Sequence, residues 1–257
     1  MSMKEGYEVI YKRPKTLLDK RMHYCPGCFH STIHKMLMEV VEEMDIQSNT
    51  VGICPVGCSV FAYDYMDIDM QEAAHGRAAA LATAVKRMLP DRYVFSYQGD
   101  GDLAAIGTAE TIHACNRGEK FTFIFINNGI YGMTGGQMAP TTLEGQKTTT
   151  SPYGRNAALL GQPLKMAEIV SQLEGVAYST RVSCNTPANA RKAKKALQKA
   201  FEIQKMGLGT TFVEVASNCP SGWKCTPVES LTWLKDRVYP YFPLGVFKDV
   251  TAQKEEV

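Results

Sequence analysis

The stretch YQGDGDLAAIGTAETIHACNRGEKFTFIFINNGIYGMTGGQ, residues 97–137, holds the ends of two strands with a helix between them. YVFSY at 93–97 is a short apolar run that leads straight into QGDGD, and FTFIFIN at 121–127 runs into the asparagine pair Asn127 and Asn128. Between them, LAAIGTAETIHACNRG reads as a helix stopped by Gly118. A strand, a helix and a second strand in so short a span predict a βαβ unit with parallel strands.

The alternation continues outward in both directions. Upstream, residues 31–44 place Ile33, Leu37, Val40, Val41 and Met44 on one helical face, TVGIC at 50–54 is a strand, and HGRAAALATAVKRML from His75 is a helix stopped by Pro90. Downstream of a long non-helical stretch, 128–155, come helix 163–175, strand 176–180, helix 186–205 and strand 210–217. The fold expected is α/β, a mostly parallel sheet flanked by helices. With 257 residues and 45% hydrophobic content, one domain over 1–257 is the expectation. Residues 217–257 read as less regular, an arm for a partner.

Net charge is +2 and the charged residues are mixed in sign, which argues against a nucleic-acid groove or a membrane-binding face. FTFIFI is too short to cross a bilayer and the first fifteen residues lack an apolar signal core, so a cytoplasmic location is expected. The basic helix face with Arg191, Lys192, Lys194, Lys195 and Lys199 reads as solvated.

Eight cysteines are many for a reducing compartment, which favours metal or redox chemistry over disulfides. Six fall in three clusters: Cys25 and Cys28 in CPGC, Cys54 and Cys58 in CPVGC, Cys219 and Cys225 in NCPSGWKC. Cys115 and Cys184 stand alone and are expected in the core. Four thiolates hold either a 4Fe-4S cluster or a structural zinc, and spacing does not choose between them.

Two strands that end in GDGD and NN place Asp100 and Asn128 at the carboxyl edge of a parallel sheet, where ligands gather. A carboxylate, an amide oxygen and a loop carbonyl suit magnesium, which commonly keeps phosphates among its ligands. The bland alternative is an ordinary turn in which Asp102 caps the following helix.

GDG followed by NN after 25 intervening residues resembles the thiamine-diphosphate motif. With YCPGC, VGCS, HGRA, IYGMTGGQ, APTT and NCPSGW, the chain resembles the beta subunits of 2-oxoacid:ferredoxin oxidoreductases. CPVGCSVFAYDY, MQEAAHGRA and YQGDGDLAAIGTAE resemble the 2-ketoisovalerate branch. The resemblance implies thiamine diphosphate and Mg2+, the metal held by Asp100, Asn128 and the main-chain carbonyl of Ile130. Around the cofactor it implies Gly99, Gly101, Asp102, Thr134, Ser59 and His75; for His75 a plain helix-start or surface histidine carries equal weight. It implies a 4Fe-4S cluster on Cys25, Cys28, Cys58 and Cys219, leaving Cys54 and Cys225 as extra thiols. Where the family commonly reads CPGCG, Phe29 stands here.

The implied activity is oxidative decarboxylation of a 2-oxo acid, the acyl group passing to coenzyme A and electrons passing through the cluster to ferredoxin. A separate alpha subunit carrying the pyrimidine-binding domain is implied, together with gamma and ferredoxin-like delta subunits. Relatives acting on 2-oxoglutarate read GCSGR where this chain has GCSVF, so an aromatic Phe61 replaces a cation. That exchange favours a branched-chain substrate, unless Phe61 merely packs in the core.

Overall fold

The computed structural model describes residues 8–252. Residues 1–7 and 253–257, which the single-domain expectation included, lie outside the described residues. In chain order the principal elements are α1 (His30–Glu43), β1 (Thr50–Pro55), β2 (Asp69–Ala73), α2 (Ala78–Met88), β3 (Tyr93–Gly99), α3 (Thr108–Asn116) and β4 (Thr122–Asn127). There follow β5 (Ile130–Tyr131), β6 (Gln137–Met138), α4 (Ala157–Leu160), α5 (Met166–Ser171), β7 (Val176–Ser183), α6 (Pro187–Met206) and β8 (Thr210–Ala216). The chain then forms α7 (Pro220–Trp223), α8 (Pro227–Trp233), α9 (Tyr239–Tyr241) and β9 (Gly245–Asp249).

The main sheet runs β2-β1-β3-β4-β8-β7-β9, parallel throughout except for β9, which lies antiparallel on β7. Strand β4 shows why it is covered on both sides. Its side chains alternate between faces: Ile124 and Ile126 join one apolar cluster with Leu37, Leu197 and Phe201, and Phe123 and Phe125 join another with Ala82, Ala114 and Val170. Helices α1 and α6 thus cover one face, and α2, α3 and α5 the other, the arrangement that an all-buried parallel strand requires. Helix α6 starts at Thr186, whose hydroxyl accepts the Asn189 N–H at 3.1 Å with Pro187 at the first helical position, and stops at Gly207 with φ +68°.

The sheet order reverses between β1 and β3: from β1 the chain steps outward to β2, and from β3 it steps the other way to β4. The carboxyl ends of these strands carry the GDGD and NN turns, so the topology opens its crevice where the motifs lie.

Several local readings are corrected. Helix α2 begins at Ala78 because Gly76, at φ +77°, turns the chain just before it. The helix expected over 163–175 is confined to Met166–Ser171, and α3 is preceded by a wide turn over Asp102–Ile106. The stretch 217–252 is no detached arm: β9 folds back onto β7 and extends the sheet.

That return covers a buried ion pair. Arg181 on β7 and Glu214 on β8 are both fully buried, with Arg181 Nε 2.8 Å from Glu214 Oε1 and Arg181 Nη2 donating to Glu214 Oε2 at 3.0 Å. Phe242 and Phe247 place their rings 5.1 and 5.0 Å from the guanidinium carbon, a distance at which cation–π attraction acts. Glu214 also accepts from Asn127 Nδ2 at 2.7 Å and from the Ala167 N–H at 3.2 Å, so its oxygens are satisfied across β4, β8 and α5. Burial alone lowers the affinity of Arg181 for its proton, but Glu214 and Glu168 overcome it and raise its pKa. Removing one partner of such a pair strands the other without water. Glu214→Ala is therefore expected to lower the unfolding free energy by about 3–5 kcal/mol, read from urea denaturation by circular dichroism.

Candidate cofactor site

At the carboxyl ends of β1, β3 and β4 lies a cavity of about 550 Å3, within the size range of ligand pockets. Asp100, Asn128 and Ile130 line it together with Gly99, Gly101 and Thr134. The Ile130 N–H donates to Asp100 Oδ2 at 3.1 Å and to Asn128 Oδ1 at 3.2 Å, so a carboxylate and an amide oxygen converge on one point. Thr141 Oγ1 donates to Asp100 Oδ2 at 2.8 Å and the Gly101 N–H to Oδ1 at 2.9 Å. Burial outweighs these donors and pushes the Asp100 carboxyl up to about 6. Asp100 is 2% exposed, and no basic side chain is among the groups acting on it. A buried anion with hard oxygen neighbours suits a divalent cation such as magnesium, so the donor set fits the metal that the motif implied.

The glycines of GDG have separate roles. A methyl on Gly99 would meet nothing within 4 Å, leaving the backbone open to the cavity, whereas one on Gly101 would strike the Tyr131 ring. Gly129, at φ +67°, makes the turn between Asn128 and Ile130. Asn128 is fixed from behind by Trp223, whose Nε1 donates to its carbonyl at 2.9 Å. The loop that follows is fastened by Arg155, 4% exposed, whose guanidinium donates to the carbonyls of Ala139, Pro140, Thr142, Gly161 and Gln162.

Asp102 does not cap its own helix. Its carboxylate accepts from the Gly76 N–H and from Gln98 Nε2, each at 2.5 Å, and lies 3.2 Å from His75 Nδ1. His75 Nδ1 is also 2.8 Å from the Val56 carbonyl, which can only accept. That bond places the hydrogen on Nδ1 and leaves Nε2 a lone pair in the neutral ring, and His75 lines the cavity. Thr134 is exposed in the β5–β6 turn, its hydroxyl donating to Gln137 Oε1 at 2.6 Å. Ser59 is buried and donates to the Tyr97 carbonyl at 3.2 Å. Phe61 stands outside the cavity lining: its ring is 39% exposed, 5.2 Å from His23 and 6.2 Å from Tyr63. It is not a core residue.

His30, read from sequence as a satisfied or surface histidine, is buried and meets the Tyr97 hydroxyl through Nδ1 at 2.8 Å, and it also lines the cavity. The sequence reading passed over Thr141 and Trp223 as partners of the acidic and amide ligands. APTT and NCPSGW contain both residues, yet neither motif states the contact.

The thiols differ in their surroundings. Burial pushes Cys28, Cys58 and Cys219 up to about 12, and neighbouring cysteines add to it, Cys25 contributing at all three. Cys54 is buried and shifted upward by burial alone, and Cys225 responds to burial and Glu229. Cys115 is in the core as expected, while Cys184 is only partly buried. Among the described residues, no three His, Cys, Asp or Glu side chains close on one point as a single ion requires. A methyl on Gly132 would lie 3.3 Å from both Cys58 Sγ and Cys219 Sγ, so glycine keeps the space beside the two sulfurs clear.

A model for the thiamine pyrophosphate enzymes, C-terminal TPP binding domain, matches residues 55–215. The cavity is accordingly that of a thiamine pyrophosphate-binding domain. Ketoisovalerate oxidoreductase subunit VorA of Methanothermobacter thermautotrophicus is 47% identical over 246 residues, covering 96% of this chain and 52% of that protein. The chain thus spans about half the length of these curated relatives. 2-Oxoglutarate synthase subunit KorB of Archaeoglobus fulgidus is 36% identical over 213 residues, 83% of this chain and 75% of that protein. In fold the chain is similar to a 2-oxoglutarate:ferredoxin oxidoreductase from Magnetococcus marinus, with a TM-score of 0.76 at 23% identity over 95% of this chain and 87% of that one. The chain belongs to the thiamine-binding beta subunits of the 2-oxoacid:ferredoxin oxidoreductase family.

The buried Asp100 makes a prediction about stability. Its folded-state pKa of about 6 lies above the ordinary 3.8, so the native state binds the proton more tightly than the unfolded state does. Stability of the metal-free protein should therefore fall as pH rises from about 4 to 6 through this group. Asp100→Asn removes the charge: the metal-free variant should gain on the order of 3 kcal/mol at pH 7, with no gain below pH 4. Thermal unfolding at both pH values checks this, and titration with Mg2+ and thiamine diphosphate should show cofactor binding lost in the same variant.

Proposed function

We propose that this chain binds thiamine diphosphate, Mg2+ and a 4Fe-4S cluster within a 2-oxoacid:ferredoxin oxidoreductase, and that the complex decarboxylates a branched-chain 2-oxo acid such as 2-ketoisovalerate to its acyl-CoA. The observation that carries this reading is the convergence of Asp100 and Asn128 on the Ile130 N–H, in a cavity whose wall includes Cys58. Metal, diphosphate and redox donors then belong to one crevice.

When bound, thiamine diphosphate supplies the electron sink that decarboxylation of a 2-oxo acid needs. Asp100, Asn128 and the Ile130 carbonyl would hold the cation beside the diphosphate. Gly99 gives the cofactor close access to backbone, and the Thr134 hydroxyl, now on Gln137, turns to a phosphate oxygen. His75 offers a hydrogen-bond acceptor to the cavity, and Asp102 fixes the orientation of its ring. Cys25, Cys28, Cys58 and Cys219 would hold the cluster, which would supply one-electron acceptance.

The cavity mouth supports the need for a partner. Val56 and Met133, which line it, are 43% and 49% exposed, apolar side chains of the kind that mark an interaction surface. An alpha subunit bearing the pyrimidine-binding domain covers it in this reading, with gamma and ferredoxin-like delta subunits, ferredoxin and coenzyme A completing the reaction. Among the described residues no helix is long and apolar enough to cross a membrane, and a cytoplasmic complex is the matching setting.

The branched-chain choice rests on the VorA relative and on Phe61. The exposed ring gives a second carboxylate no partner, and it meets substrate only where a covering subunit closes over it.

The test is the complex coexpressed with its partner subunits and purified without oxygen. It should be brown, with four irons per beta chain and released thiamine diphosphate in equal amount. Ser variants at Cys25, Cys28, Cys58 and Cys219 should each lose iron, whereas Cys54→Ser and Cys225→Ser keep it. Its kcat/KM for 2-ketoisovalerate should exceed that for 2-oxoglutarate by about tenfold or more, the scale of one charge-assisted hydrogen bond, and Phe61→Arg should narrow the ratio. A colourless zinc protein without thiamine would overturn the reading; preference for 2-oxoglutarate would overturn the substrate.

A further inference from the structure

Between the thiols and the metal loop stands one turn of helix. Cys219 precedes α7 and Trp223 ends it, the Trp223 N–H donating to the Cys219 carbonyl at 2.8 Å. From that turn the Trp223 indole reaches the carbonyl of Asn128 at 2.9 Å, the residue whose side chain faces the cation site. Gly222 lies where the two sites meet: a methyl there would lie 2.8 Å from Cys219 Sγ and 3.2 Å from Ile130 Cγ2. The turn is therefore packed against a thiol on one side and the cation loop on the other.

Its other end is anchored to the first cysteine pair. Asn218, fully buried, donates through Nδ2 to the Gly27 carbonyl of the CPGC loop at 2.9 Å and to Ser230 Oγ at 2.7 Å. Ser230 spends its own hydrogen on the Pro227 carbonyl at 2.6 Å, so the amide orientation of Asn218 is fixed by its partners. Gly27, at φ +79°, also leaves no room for a methyl against Pro227, which would lie 2.5 Å away. Six residues thus join the CPGC loop, Cys219 and Asn128 in one hydrogen-bonded strut.

We propose that this strut couples the two sites, so that a bound cluster tightens binding of the Mg2+–thiamine diphosphate pair, with Trp223 as the positioning residue. The inference rests on the reading above, that both groups bind this chain. Ligation of Cys219 fixes the start of α7, and fixing α7 holds the indole against Asn128. The cation site then loses less freedom when it fills, and the dependence is reciprocal because it is a free energy shared by two ligands.

The experiment uses the anaerobically purified complex in two forms, cluster-loaded and cluster-stripped by an iron chelator, each titrated calorimetrically with thiamine diphosphate in Mg2+. The expected dissociation constant is about tenfold lower in the loaded form, within the usual range of coupling between sites. Trp223→Phe keeps an aromatic ring and removes the N–H donor: it should retain iron and an unchanged cluster resonance spectrum while the tenfold ratio falls to about one. Gly222→Ala, whose methyl would meet Cys219 Sγ as well as Ile130, should reduce the ratio too; compared at full iron content, it serves where the tryptophan variant fails to assemble. Equal dissociation constants in the two wild-type forms, or a tenfold ratio kept in either variant, would overturn the coupling while leaving both cofactors assigned. A complex that takes up neither iron nor thiamine would instead overturn the functional reading on which the coupling rests.

Discussion

The structure turns on one buried carboxylate. Asp100 sits at the end of β3 with three hydrogen-bond donors around it and no cation, and burial holds its proton affinity far above that of an ordinary aspartate. A fold organised only for stability would not keep a charge there, because hydrogen bonds from neutral groups do not replace lost hydration. The surrounding features make sense as provision for a positive partner. The parallel sheet brings two strand ends together at its reversal, Gly101 makes room for Tyr131, and Thr141 and Ile130 orient the carboxylate oxygens. The stability given up at Asp100 is the counterpart of the affinity the site needs.

The same economy of position appears around the thiols. The matched thiamine-binding segment, 55–215, contains Cys58 but none of Cys25, Cys28 or Cys219. Those three come from chain on either side of the domain and are drawn in by contacts that the sheet itself does not make: Asn218 to Gly27, Pro227 against Gly27, Trp223 to Asn128. The two flanks of the domain thus bring three further cysteines to the side of the sheet where Cys58 lies, the set that holds the cluster in the reading proposed above.

How far the sequence foretold this depends on whether a feature is local. Buried strands such as FTFIFI and helices with an apolar stripe carry their signal in a few consecutive residues, so the parallel α/β order could be read directly. Strand β2, DMQEA, lies at the sheet edge with mostly exposed side chains and shows no apolar pattern, and β9 is a half-exposed edge of the same kind. The hairpin strands β5 and β6 have two residues each, below the length at which alternation is detectable. Asp100 and Asn128 were legible because turn chemistry marks them. Thr141, Trp223 and His30 were not, because their roles come from contacts across 41, 95 and 67 positions of chain. Phe61 was read as facing substrate, with core packing as the alternative, and it does neither within this chain: hydrophobic type does not report which side of a turn faces water.

The fold-back of β9 has a meaning in time as well as in space. Arg181 and Glu214 lie on strands that precede Phe242 and Phe247 in the chain, so the ion pair is made before the rings that close over its guanidinium. Until those aromatic residues fold back, a charged pair destined for the interior stays wet and β7 remains an open edge. Completion of this core is thereby tied to the arrival of one edge strand: with 242–249 unfolded, the sheet would be nearly finished and its charged centre still uncovered.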